Sequence, residues 1–216
     1  MGPLRRHLML CVLALAASAT HASEPLQVRI GYLAYIPATG PLLSNVIPEP
    51  TDAGLRGAEL AIVDSNSTGR FLQHSYSLEA ASADDSASLL SAAKALHQQG
   101  VRLFVLNAPA ASVRQLSQAL PDSLLFNAGS ADDELRQSAC LANVLHTLPS
   151  RAMLTDALAQ FLTVRQWQRW LLISGPTEDD QAYAAALKRA AKRFGHKIIA
   201  EKAWSFDNDQ PRSAQP

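Results

Sequence analysis

Residues 27–70 read QVRIGYLAYIPATGPLLSNVIPEPTDAGLRGAELAIVDSNSTGR, and they set the plan of the chain. Val28 to Leu33 is a short, mostly apolar, β-rich run carrying Tyr32, with Tyr35 just beyond. Pro37, Gly40, Pro41, Pro48 and Pro50 punctuate the next stretch and cannot sit inside a helix, so a long loop is expected. Asp52 is placed to cap a helix running to Asp64, with Leu55, Ala58, Ala61 and Ile62 at helical spacing. Ser65 to Gly69 reads as its closing turn. A strand, a wide loop and a helix are the first half of a βαβ unit, whose ligands are met at the loop leaving the strand's C-terminal end.

Working outward, the same alternation repeats. Strands are expected at 76–83, 101–106, 123–126 and 142–148, with helices at 87–99 and 110–120 and a helical turn at 132–136. Val101 to Leu106 is nearly all apolar, as in a strand covered on both faces. From Pro149 a new unit begins, with helices at 150–165 and 179–194 and strands at 170–174 and 197–204. Alternation of this kind predicts an α/β, doubly wound parallel sheet. The division is a lobe over 26–148, a partial second lobe over 149–206, and a polar tail over 207–216 read as disordered, with the hinge at the crossing near Thr147 to Ser150.

The first 22 residues read as a secretory signal peptide: Arg5 and Arg6, an apolar run from Leu8 to Ala17, then small residues around Ala19 and Ala22. A periplasmic protein without further membrane insertion is the expectation. Arg5-Arg6 also permits a twin-arginine reading, whereas Leu10 is too bulky for a lipoprotein signal at Cys11. Without that leader the chain keeps 17 basic against 19 acidic residues, so nothing favours nucleic acid as a partner. Hydrophobic residues at 48% and charged residues at 18% describe an ordinary globular protein. Cys140 is then alone, excluding an intrachain disulfide, and among Leu141 and Ala142 it reads as a small buried hydrophobe rather than a reactive thiol.

A catalytic centre finds no support: there is no G-x-S-x-G, H-E-x-x-H, P-loop or C-x-x-C, and the histidines are scattered. No cofactor or metal site is expected. Binding is better grounded, because the loops at the ends of parallel strands converge on one crevice. Three loops qualify: 32–40, 107–111 and 127–130. Tyr32, Asn107, Asn127 and Ser130 supply hydrogen-bonding groups, and Ala108 and Gly129 let a ligand approach the backbone. The competing reading is that Asn, Gly and Ser only make turns. Glu178-Asp179-Asp180 reads as a solvated helix start, Lys188, Arg189, Lys192 and Arg193 as a solvated flank, and Trp167 and Trp170 as core of the second lobe. His146 reads as a hydrogen-bonded structural histidine and Asn66-Ser67-Thr68 as a turn.

Thr39-Gly40-Pro41, Gly57-Ala58-Glu59-Leu60-Ala61-Ile62 and Asn66-Ser67-Thr68-Gly69, in that order, resemble the opening of the branched-chain-amino-acid type of periplasmic substrate-binding protein, the type I fold. Asn143 to Thr147, Pro149 to Ala152 and Arg193 to Ile198 are similar to a narrower branch, the binding-protein-like component associated with pyrroloquinoline-quinone-dependent alcohol oxidation. The resemblance implies capture of a small-molecule ligand between two lobes and an ABC permease as partner. It equally admits a sensor or accessory protein of an alcohol dehydrogenase system that uses the same fold without transport. The family's second lobe needs a further hundred or so residues, so a truncated chain is the expectation. By resemblance the fourth-strand loop carries over to Asn127-Ala128-Gly129-Ser130, with Ser130 nearest the family's Thr. The third-strand loop lacks the family's hydroxyls and Gly175 to Asp180 lacks its Tyr-Gly pair. Those departures point away from an α-amino acid, toward a less polar or quite different molecule.

Overall fold

The structure is a computed structural model that describes residues 25–37, 50–138 and 140–204. The expected leader, the Thr39-Gly40-Pro41 loop and the tail lie outside these residues. In chain order the elements are β1 (Leu26–Tyr35), α1 (Ala53–Gly69), β2 (His74–Ala83), α2 (Ser86–Gln98), β3 (Leu103–Asn107), α3 (Ala110–Ala119), β4 (Leu124–Asn127), β5 (Val144–His146), α4 (Arg151–Val164), β6 (Arg169–Ser174), α5 (Glu178–Phe194) and β7 (Lys197–Ala203). Short 3₁₀ turns lie at Arg70–Leu72 and Asp133–Arg136. The first five strands form one sheet in the order β2-β1-β3-β4-β5, and β6 and β7 pair in a second sheet; every pairing is parallel.

Period-two alternation divides the first sheet's side chains. Leu33, Phe104, Leu106, Leu125 and Val144 are buried on one face, in a core with Leu89 and Ala93 of α2 and Val113 and Leu116 of α3. The opposite face carries the register row Ala80, Tyr32, Val105, Phe126 and Leu145. α1 lies on that face through Gly54, Ala58, Ala61, Ile62 and Ser65. Helices on both faces explain why β3 reads as continuously apolar.

Helix starts obey local chemistry. Asp85 caps α2, accepting from Ala87 N and Ser88 N at 2.8 and 2.9 Å. At α5, Thr177 and Asp180 form a capping box. Asp52 holds the cap position of α1, but its carboxylate pairs with Arg56 at 2.9 Å instead of capping.

Three expectations are corrected. The turn at 65–69, and with it the Asn66-Ser67-Thr68 turn, is helical: Asn66 Nδ2 donates to Tyr76 O and Asn66 Oδ1 accepts from Tyr76 N, each at 2.8 Å, which ties the last turn of α1 to β2. Cys140 is exposed, because it lies in irregular chain between the 3₁₀ turn and β5. Trp167 is 58% exposed, held outside the core where Arg165 lies over its ring; Trp170 is partly covered and stacks on His196 at 4.4 Å.

The α5 flank is solvated, as its sequence suggests, with Lys188, Arg189, Lys192 and Arg193 all exposed. Arg189 and Arg193 clamp Asp156 of α4 at 2.5 and 2.7 Å, and Lys188 pairs with Glu201 of β7 at 2.6 Å.

Candidate functional site

All strands of the first sheet run in parallel, so their C-terminal ends share one edge. Strand order reverses between β1 and β3, which makes their exits the switch point where such sheets bind ligands. β1 ends at Tyr35, β3 at Asn107 and β4 at Asn127. The three loops named from the sequence therefore leave from that one edge, although residues 38–40 of the first lie outside the described residues.

Asn127 is fully buried and spends its side chain on the rim itself. Its Oδ1 accepts from Ser130 N at 2.9 Å and Gly129 N at 3.3 Å, while Nδ2 donates to Ser130 O at 2.7 Å and to His146 Nδ1 at 3.0 Å. Its carbonyl accepts from both N and Oγ1 of Thr147, each at 3.1 Å. One amide thus shapes the β4 loop and anchors the crossing into the second unit. His146 is the expected hydrogen-bonded histidine. Burial, with the Arg136 charge nearby, lowers its pKa below the ordinary imidazole value. A neutral ring is what the Asn127 donor requires.

Gly129 is needed by close approach: a Cβ there would stand 2.6 Å from Ala108 N and 2.7 Å from Asn107 Oδ1. The β3 and β4 loops press together at this point, leaving Ala108 buried beneath them.

The six residues named from the sequence separate into three places. Gly129 and Ser130 open on a cleft of about 590 Å³, together with Pro109 and Ala111 at the start of α3. Its far wall is Glu178, Asp179 and Tyr183 of α5, and its floor carries Leu148 and Arg151. Tyr32 and Asn107 line a different cavity of about 360 Å³ beneath α1. Asn127 and Ala108 line neither and support the rim from below.

Arg151, at the first position of α4, was not singled out from the sequence. Its side chain is only 14% exposed, pairs with Asp179 of α5, lies 3.8 Å from Asp132 of the first unit, and stands over the Tyr183 ring at 5.6 Å. Its Nε is buried and has no hydrogen-bond partner among the described residues. The only signal in sequence was its place in Pro149-Ser150-Arg151-Ala152, just past the crossing. Ser150 caps α4 by accepting from Met153 N at 3.3 Å, and Asp133 accepts from Ala152 N at 3.0 Å. The cleft thus carries Arg114 and Asp132 beside the Gly129 backbone and Ser130 on one side, and Arg151, Glu178 and Asp179 on the other. The cleft offers hydrogen bonds and charge pairing from two sides.

Among the described residues no helix is long and apolar enough to cross a membrane. No protein-family model matches the chain, and no curated protein matches it either. Solved structures do match. An ABC transporter substrate-binding protein from Desulfitobacterium hafniense superposes with a TM-score of 0.65 at 16% identity, over 84% of this chain and 52% of that one. A branched-chain amino acid ABC transporter periplasmic ligand-binding protein from Burkholderia xenovorans LB400 gives 0.65 at 19% identity, over 84% and 48%. A branched-chain amino acid ABC transporter protein from Silicibacter pomeroyi gives 0.64 at 14%, over 88% and 52%. The chain has the type I periplasmic binding protein fold and spans about half the length of the solved structures it matches.

Proposed function

We propose that this protein is an exported solute-binding component, not an enzyme, that captures a small molecule between two lobes. The first lobe is residues 26–148 and the second begins at 149. The observation that carries this reading is the cleft whose near wall is Gly129, Ser130 and the start of α3 and whose far wall is Glu178, Asp179 and Tyr183 of α5. Ser130 and the Gly129 backbone are the contacts offered by the first lobe. Tyr183 and Asp179 are those offered by the second, with Arg151 between them.

Hinge closure about the Thr147 crossing would present the closed form to a membrane permease of the ABC type. The substrate-binding proteins that share the fold support a transport role. The link to quinone-dependent alcohol oxidation rests on the motifs at 143–152 and 193–198. Retrieval of a permease rather than an alcohol dehydrogenase or sensor kinase on the immobilised protein would favour transport over an accessory role.

Thermal-shift screening of amino acids, carboxylates, alcohols and aldehydes tests the binding step, since a ligand specific for the folded state raises its melting point. One class is expected to give a saturable rise that Ser130→Ala and Tyr183→Ala each weaken by about three- to tenfold, the worth of one or two contacts. No response from any class, or a response that neither variant alters, would overturn the reading.

A further inference from the structure

The cavity beneath α1 is separate from the cleft and shares no lining residue with it. It is bounded by Ile30, Leu78 and Val105 of the sheet and by Ala58 and Ile62 of α1. Its volume of about 360 Å³ lies within the range of small-molecule sites, about 300–1,000 Å³. Among the described residues no charged side chain lines it, so a charged guest would lose its hydration without a counter-charge. α1 meets the sheet largely through small side chains there, and at Gly54 a Cβ would overlap the Tyr32 hydroxyl.

Tyr32 supplies the directional feature. It is 5% exposed, and its hydroxyl receives one long bond, 3.4 Å, from Asn107 Nδ2. Among the described residues it donates to nothing. A buried hydroxyl with an unused proton at the wall of an apolar cavity, next to the sheet's switch point, is a donor awaiting an acceptor.

We propose that this cavity is a second binding site, for a neutral, largely apolar small molecule carrying one hydrogen-bond acceptor that takes the Tyr32 proton. The site goes beyond capture in the cleft and does not depend on it. Its guest is held by contact with Ile30, Ile62, Leu78 and Val105 and oriented by Tyr32, with Asn107 beside it.

The test titrates the full chain with acetophenone, with ethylbenzene as the same shape lacking an acceptor and benzoate as a charged analogue. Thermal shift and methyl NMR are the readouts. Acetophenone is expected to move the methyls of Ile30, Ile62, Leu78 and Val105 saturably, and ethylbenzene to bind about fivefold more weakly, the worth of one neutral hydrogen bond. Tyr32→Phe should weaken acetophenone by about the same factor and leave ethylbenzene unchanged. Ala58→Leu, which fills the cavity, should abolish both responses; where that variant does not fold, the methyl map on the unaltered chain decides. Shifts confined to the surface leucines Leu154 and Leu158, no saturable response, or benzoate binding as tightly as acetophenone would each overturn the proposal. So would undiminished binding by a folded Ala58→Leu.

Discussion

Asn127 shows how one side chain sets the geometry of two loops. It was legible in the sequence as a polar residue at a strand end, but not as buried. A free Asn and one spent on its own loop look alike in a string of letters. Asn127→Ala would leave the Ser130 amide and carbonyl without their partners, at a cost of about 2–3 kcal/mol measurable by urea unfolding. His146 extends the same network into pH. Its folded pKa is lowered by burial and by Arg136, so the stability it contributes is present above the unfolded value near 6.5 and is lost as pH falls through that value toward the folded one. The urea midpoint should drop on acidification below about pH 6.5, and His146→Gln should flatten part of that dependence. An unchanged slope in the variant would contradict the assignment.

At the scale of elements, hydrophobic period and the prolines were enough to place the strands and helices, because both act locally; the one cap read from the sequence, Asp52, pairs with Arg56 instead. Expectation failed where a distant group intervened. Ser, Asn and Thr in 65–69 favour a turn on their own, yet Asn66 finds the Tyr76 backbone and the helix runs on to Gly69. The α5 basic flank is solvated as read, but its ion-pair partner Asp156 was not legible, because it is 33 residues away from Arg189 in sequence. Two substitutions probe this level. Asp85→Ala removes the cap of α2 and should cost about 1 kcal/mol. Gly129→Ala must push the β3 and β4 loops apart, because the atoms it meets include backbone of Asn107 and Ala108. It should destabilise by about 1–3 kcal/mol and weaken any ligand of the cleft, read by calorimetry.

At the scale of the molecule, the parallel order and the shared edge of loop exits were foreseeable. Their partition between a cleft and a separate cavity was not, since it depends on how α1 and α5 approach the first sheet and its loops. The surface also carries a group of exposed apolar side chains: Leu154, Leu158, Phe161 and Val164 of α4 and Leu171, Ile173 and Ile199 of the second sheet. Concentration-dependent association by light scattering is therefore expected, and Leu158→Glu combined with Phe161→Glu should reduce it. A constant monomer mass would contradict that. The measurement that bears most directly on solute capture is amide NMR of the full chain, titrated with the screened compound classes. One compound should saturably perturb amides on both walls together: Ala111, Gly129 and Ser130 on one side, Asp179 and Tyr183 on the other. A ligand that perturbs one wall only, or no compound that perturbs either, would contradict a cleft that closes on its solute.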